Sequence, residues 1–434
     1  MKRQMKDSGI EWIGQIPEEW HVSKIKNVYI VILGKMLSPS QTQKDQTLEN
    51  YLCAANIKWS GVDTSIQKQM WFSESDKAEY KLHEGDILIM EGGLAGTSCK
   101  YRGEMAPCFI QNSVHCCRAK SNYSNQFLYY WMNVVYNSKY IENICNKATI
   151  QHYTKEKVMN TPFLICSSLE QEKIVSYLDR KCAQIDAIIA KQQQIIEKLK
   201  EYKLSVITEA VTKGLDPNVP MKDSGVEWIE EIPEKWQKAK LKNTCQFING
   251  DRSSNYPSPN DYVDKGIPFL GADSLCGRYV DIAQSKKITN EKYRSMGGAK
   301  IQKGDILYTL RGSTIGKNAM AMFDDGTVAS SLMVIRPISL VPEFLLYWLN
   351  SEEEFQQRQS YINGSTAPNL SADNVGTFIL FLPSTVEQLR IANFLDKKCN
   401  EIELAIQKKQ RMIEKLSDYK KSLIYEVVTG KKEV

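Results

Sequence analysis

Histidine is scarce in this chain: four in 434 residues, at 21, 83, 115 and 152. With so few, a zinc site is not expected. The eleven cysteines are odd in number and include no C-x-x-C pair. Cys116 and Cys117 are neighbours and cannot easily bridge each other. The thiols are therefore expected to be reduced and mostly buried. No apolar run reaches the roughly 18 residues of a membrane span. The opening Met1-Lys2-Arg3-Gln4 is basic but has no apolar stretch behind it, so it does not read as a signal peptide. Charge is mild, at +5, which permits a local basic surface without announcing nucleic-acid binding. A hydrophobic fraction of 42% and a charged fraction of 25% are ordinary for a soluble protein, and the length suits two domains with extra elements.

Motifs of catalysis are missing too. Gly312-Ser313-Thr314-Ile315-Gly316-Lys317-Asn318 approaches a phosphate loop, but the spacing is one residue short and Asn318 stands where a magnesium-binding hydroxyl belongs. No Gly-x-Gly-x-x-Gly follows a strand, and no Asn-Pro-Pro-aromatic tetrapeptide for base methylation occurs. Glu79-Tyr80-Lys81 and Glu201-Tyr202-Lys203 resemble the tail of nuclease sites, but charged triplets of this kind arise by chance. The four histidines have no repeat partners. The chain is expected not to be a catalyst.

What is present is a repeat. Met5-Lys6-Asp7-Ser8-Gly9 returns 216 residues later as Met221-Lys222-Asp223-Ser224-Gly225. Ile16-Pro17-Glu18-Glu19-Trp20 returns as Ile232-Pro233-Glu234-Lys235-Trp236, and Gly85-Asp86-Ile87-Leu88 as Gly304-Asp305-Ile306-Leu307. The longest repeated block covers 169–213 and 386–430. A repeat of this length implies two whole domains and a pseudo-two-fold molecule, with the C-terminus near the first Met-Lys-Asp-Ser-Gly. Residues 28–84 and 244–303 share little, so the frame is duplicated while part of its filling has diverged.

The long block is free of proline, and apolar residues recur at three- and four-residue intervals. In the first copy they are Leu178, Cys182, Ile185, Ile189, Ile196 and Leu199; in the second, Leu395, Cys399, Ile402, Ile406, Ile413 and Leu416. This is the stripe of a coiled coil or helical hairpin, each helix roughly 60 Å long. Gly214, Pro217 and Pro220 mark the break after the first. Strands are expected at 86–90, 305–310, 332–335 and 377–381, and short aromatic helices at 127–133 and 344–350.

The remaining chemistry is that of recognition, carried on polar loops. In the second copy these hold Arg252, Ser253, Asn255 and Tyr256; Arg311, Ser313, Thr314 and Lys317; and Ser365, Thr366 and Asn369. In the first they hold Lys35, Ser38, Gln41 and Lys44; Gly92, Gly93, Ser98 and Lys100; and Thr149, Gln151 and His152. Arg, Asn and Gln can read purine edges, while Lys, Ser and backbone N–H groups hold phosphates. Ordinary solvated loops would share this composition.

Taken twice and in order, the opening segment, the Gly-Asp-Ile-Leu strand, the long helix and the Val211-Thr212-Lys213-Gly214-Leu215-Asp216-Pro217 junction resemble the specificity subunits of type I restriction–modification enzymes. The resemblance covers essentially the whole chain. It implies an α+β fold: two globular α/β target-recognition domains joined by two long antiparallel coiled-coil helices. The expected segments are 1–168 and 221–385 for recognition, 169–214 and 386–434 for the helices, and 215–220 as a linker. Each recognition domain would read one half of a split, asymmetric DNA sequence. The helices would hold them apart and dock two methyltransferase subunits, which two restriction subunits can join. S-adenosylmethionine, ATP and magnesium would belong to those partners, with no cofactor or metal in this cytoplasmic chain. A stand-alone bivalent DNA-binding or architectural protein would fit the same repeat, as would a coiled-coil protein with two globular heads.

Overall fold

In the computed structural model, residues 3–120, 122–145, 151–362 and 369–434 are described. The chain forms two compact units. One comprises Met1–Gln192 with Arg411–Val434, the other Gln193–Gln410. The segments expected from sequence were linear, whereas each compact unit takes part of both long helices together with one globular portion. The reason is burial: within each unit the helical stripes pack into one hydrophobic cluster with the sheet, the short aromatic helix and the opening hairpin.

The two helices run over Ser168–Lys213 and Thr385–Val428, within two residues of the repeated block at either end. Leu178, Ile185, Ile196, Leu395, Ile402 and Ile413 are buried, and Ile189, Leu199, Ile406 and Leu416 are half-buried. In unit 1 the start of the first helix lies with the end of the second. Lys420 Nζ there donates to both oxygens of Asp186 at 2.7 and 2.6 Å. In unit 2 the end of the first lies with the start of the second, and Lys203 Nζ meets Glu403 Oε1 at 2.5 Å. Within each unit the helices are thus antiparallel. The Lys203 of the nuclease-like triplet is committed to this ion pair.

Each globular part repeats one sheet plan. Unit 1 has an antiparallel sheet in the order Ser98–Lys100, Ile87–Met90, Val114–Ala119, Tyr29–Leu33. Unit 2 has Asn318–Met320, Ile306–Thr309, Leu332–Pro337, Cys245–Asn249 in the same order. A second sheet joins Gln69–Phe72 antiparallel and Phe109–Ile110 parallel to Thr47–Leu52. Its counterpart joins Lys286–Ile288 and Thr327–Val328 to Tyr262–Leu270 in the same senses. So the stretches 28–84 and 244–303, unlike in sequence, carry the same main-sheet topology, with a short hairpin of Ile57–Lys58 and Gly61–Val62 added in unit 1. The strands at 87–90, 306–309, 332–337 and 379–382 and the helices Asn125–Asn137 and Pro342–Trp348 overlap the segments expected from the sequence.

The repeated motifs are the joints of this frame. The opening segments fold as hairpins, Met5–Asp7 with Gln15–Pro17 and Met221–Val226 with Ile229–Pro233. The buried tryptophan closing each hairpin donates to a glutamate in the first turn of a long helix: Trp20 Nε1 to Glu170 Oε2 at 2.8 Å, Trp236 Nε1 to Glu387 Oε2 at 3.2 Å. Further along, Tyr130 Oη donates to Asp179 at 2.5 Å and Tyr347 Oη to Asp396 at 2.7 Å. Gly85 and Gly304 sit at φ +95° and +92°, which explains the glycine of Gly-Asp-Ile-Leu. The C-terminal end lies on the first hairpin, where Tyr425 Oη and Lys431 Nζ donate to the Ile13 carbonyl at 2.9 and 2.7 Å.

Ten of the eleven cysteines are buried and Cys276 is exposed. Cys116 and Cys117, adjacent on one strand, face separate hydrophobic clusters, because successive strand residues point to opposite sides. Among the described residues, no helix is long and apolar enough to cross a membrane.

Candidate nucleic-acid interface

The first and second polar loops singled out in the sequence leave corresponding strands in the two units, and the third lies after a helix in each, Tyr140–Ile144 and Glu352–Ile362. The fold pairs the second loop with the third in each. Gly92 bridges His152 across an antiparallel contact, and Arg311 bridges Asn369 in the same way. Arg311 Nε also donates to Asn369 Oδ1 at 3.1 Å.

The first loop is brought in by a close backbone approach that sequence reasoning missed. A Cβ on Gly34 would lie 2.4 Å from the Gln111 carbonyl oxygen, and one on Gly250 would lie 2.3 Å from that of Ala329. Only glycine fits there. The signal was available, since both glycines end a strand just before a candidate loop, in Leu33-Gly34-Lys35 and Asn249-Gly250-Asp251.

Unit 2 presents the more open surface. Arg252, Ser253, Asn255, Tyr256, Arg311, Ser313, Thr314 and Asn369 are all exposed. Asp251 beneath them is buried, and it accepts from Ser253 N at 2.7 Å and Gly297 N at 2.8 Å. These hydrogen bonds hold its carboxyl below the usual range, so it pins the Arg252 loop as an anion. Tyr256 stands edge-on to Phe269 with ring centres 5.5 Å apart, and Asn255 Nδ2 donates to the Ser295 carbonyl at 3.1 Å. The phosphate-loop look-alike leads into the strand Asn318–Met320, where a phosphate loop leads into a helix. Lys317 Nζ donates to the Ala272 carbonyl at 3.0 Å.

Unit 1 divides its candidates. Gln41, Lys44, Gly93 and His152 are exposed, and Ser38, Gly92, Lys100 and Gln151 are half-buried. Gln46, buried, shapes the 41–46 turn by accepting from Thr42 N at 2.8 Å and Gln43 N at 3.2 Å. Two candidates are engaged inside the fold. Lys35 pairs with Asp76 and donates to the Trp71 carbonyl at 2.9 Å, over the ring of Phe72. Ser98 is buried and donates to the Gly96 carbonyl at 2.9 Å. Neither side chain is turned outward as the sequence suggested: strand alternation sends Ser98 inward, and an acidic helix start claims Lys35. Thr149, Ser365 and Thr366 lie outside the described residues.

Two copies of one sheet frame, each carrying unlike exposed loops, define a two-headed recognition protein. The chain belongs to the type I restriction modification DNA specificity domain family, whose profile matches residues 17–201 and 233–415. It is similar to the Type I restriction enzyme MjaVIII specificity subunit of Methanocaldococcus jannaschii, at 23% identity over 96% of this chain and 94% of that one. Similarity to the EcoBI specificity subunit of Escherichia coli reaches 29% identity, over 48% of this chain and 44% of its relative. Among solved structures, a chain from a study of complex assembly and conformational transition of the type I R-M system superposes with a TM-score of 0.70, at 15% identity, covering 95% of this chain and 98% of the other. The HsdS subunit from Thermoanaerobacter tengcongensis gives 0.50 at 16% identity, covering 96% and 98%. At these identities the structural likeness speaks for the fold.

Proposed function

We propose that this chain is the DNA sequence-specificity subunit of a type I restriction–modification complex. Each unit reads one half of a bipartite, asymmetric site with its own loops, and the paired helices set the length of the unread spacer. The observation that carries this reading is the contrast between a repeated frame and non-identical exposed loops. A frame repeated to the level of its Trp–Glu and Tyr–Asp joints places two readers alike, while unlike loops ask different questions. Arg311 and Asn369, held side by side, and Arg252 with Asn255 are residue types that address base edges, and the lysines address phosphates.

In this reading the chain is non-catalytic and acts in the cytoplasm. Two methyltransferase subunits dock on the helices, and two restriction subunits complete the complex. S-adenosylmethionine, ATP and magnesium are held by those partners, and this chain itself carries no cofactor. The test is methylome sequencing of cells expressing the chain with a type I methyltransferase subunit. A two-part motif with unequal halves and a fixed spacer is expected. A continuous motif, or none, would refute the reading.

A further inference from the structure

The first polar loop begins at corresponding places in the two units. Gly34 N donates to the Val114 carbonyl and Gly250 N to the Leu332 carbonyl, both at 3.1 Å. Val114 and Leu332 are the first residues of corresponding strands. The residues that follow the glycines, Lys35 and Asp251, therefore hold the same position in the two frames. They carry opposite charges, and both are turned into the fold: Asp251 is buried, and 14% of the Lys35 side chain is exposed.

Each reaches the same arm of the second sheet, an edge strand and the short helix after it. In unit 1 the arm is Gln69–Phe72 with Glu74–Tyr80, capped by Ser73; in unit 2 it is Lys286–Ile288 with Asn290–Ser295, capped by Thr289. Lys35 Nζ pairs with Asp76 in the first turn of its helix and donates to the Trp71 carbonyl at 2.9 Å. Trp71 N donates to the Ser38 carbonyl at 3.0 Å, so the loop runs along the strand. Asp251 instead accepts from Gly297 N, just past its helix, at 2.8 Å, and from Ser253 N within its own loop at 2.7 Å. Ala299 N donates to the Asn249 carbonyl at 3.1 Å, and a Cβ on Gly298 would lie 2.3 Å from Asp251 N. The 297–299 backbone is thus laid against the start of the loop.

The two anchors are not interchangeable. Lys35 faces oxygens and Asp251 faces N–H donors, so either charge would meet its own sign at the other's place, and burial makes that costly. Past the anchors the loops are open: Arg252, Ser253, Asn255 and Tyr256 in unit 2 and Gln41 and Lys44 in unit 1 are exposed. A side chain that reads a base edge has to be held to within about 0.5 Å, and exposed side chains cannot hold themselves there.

We propose that Lys35 and Asp251 are positioning residues for recognition. Each fixes the first loop of its own unit against the second sheet, and so sets specificity in one half-site without touching DNA. The link to specificity rests on the function proposed above.

Two measurements on the full chain test this, for wild type, Asp251→Ala, Lys35→Met and Lys35→Arg. The first is amide hydrogen exchange. Asp251→Ala is expected to speed exchange at 252–256 and 297–299, and Lys35→Met at 36–46, each leaving the other unit's loop as it was. Lys35→Arg can still pair with Asp76 and should keep its loop protected. The second is binding to randomised duplexes by the chain assembled with its methyltransferase partner. Asp251→Ala is expected to cut discrimination about tenfold in one half-site and Lys35→Met in the other. The slope of log K against log salt should not change, because no phosphate contact is lost, and Lys35→Arg should recover the discrimination. A purely structural role predicts a lower melting temperature with full discrimination in the complexes that form, and that result overturns the proposal. Unchanged exchange in both loops overturns it as well. A wild-type complex without sequence preference would refute the specificity reading instead, and hydrogen exchange would still decide whether the two residues fix the loops.

Discussion

Asp86 and Arg118 face each other across neighbouring strands as a two-pronged ion pair. Arg118 Nε reaches Oδ1 at 2.8 Å and Nη2 reaches Oδ2 at 2.6 Å. Asp305 and Arg336 reproduce it in unit 2 at 2.8 and 2.7 Å. The aspartates are the second residue of Gly-Asp-Ile-Leu, and only 2% of either side chain is exposed. Each also accepts from a backbone N–H three residues before it, of His83 and Gln302, both at 2.8 Å. The pair therefore ties the turn before the central strand to its neighbour, at the end of the sheet opposite the candidate loops.

Removing the cation should leave a buried carboxylate without its partner. Arg118→Met is expected to destabilise unit 1 by about 3 kcal/mol, the lower end for a broken buried pair because Arg118 is partly exposed. Arg336→Met should do the same in unit 2. Urea unfolding with a probe in each unit checks this, and equal loss in both units from one substitution would contradict it.

This pair also shows what was legible in the sequence and what was not. The Gly-Asp-Ile-Leu repeat, the helical stripe and the polar loops are local patterns, and the helices and central strands lie where those patterns put them. Arg118 and Arg336 lie 32 and 31 residues from their aspartates, and nothing local marks them as partners. The same limit hid the common topology of 28–84 and 244–303, because a strand order is set by long-range pairing that many sequences satisfy. It also hid the fates of Lys35 and Ser98, which depend on a helix 41 residues away and on the direction of a strand side chain.

His115 provides a pH signature. It is fully buried, with Nε2 2.8 Å from the Tyr153 carbonyl, and burial pushes its pKa down from 6.5 to about 4, with Lys155 adding to the shift. The unfolded chain then binds this proton more readily than the folded one. Stability should fall as pH drops from 6.5 toward 4, by about 2 kcal/mol between pH 7 and 5. Unfolding midpoints of wild type and His115→Gln should converge by that amount over the same interval. A constant gap would show that His115 titrates normally.

Single loop residues should affect one half-site. Arg311→Ala, which removes the hydrogen bond to Asn369, is expected to relax one position in the half read by unit 2, by about 1–3 kcal/mol of discrimination. The half read by unit 1 should stay as it is. Binding to a library of randomised duplexes measures this, and loosening of both halves would argue against separate readers.

The helices should act as a ruler. Four residues inserted in each add roughly 6 Å, and DNA rises about 3.4 Å per base pair, so the unread spacer should widen by about two base pairs. Methylome sequencing of the insertion variant reports the spacer directly, and an unchanged spacer would refute this role.

The central claim is that each unit reads its own half of the target with its own loops on a common frame. The most direct test replaces the recognition segment of unit 2 with that of unit 1 and sequences the methylome of cells carrying the chimera with its methyltransferase partner. Separate readers on a common frame predict a symmetric motif, the first half-site and its inverted copy around the parental spacer. Recovery of the parental asymmetric motif would contradict it.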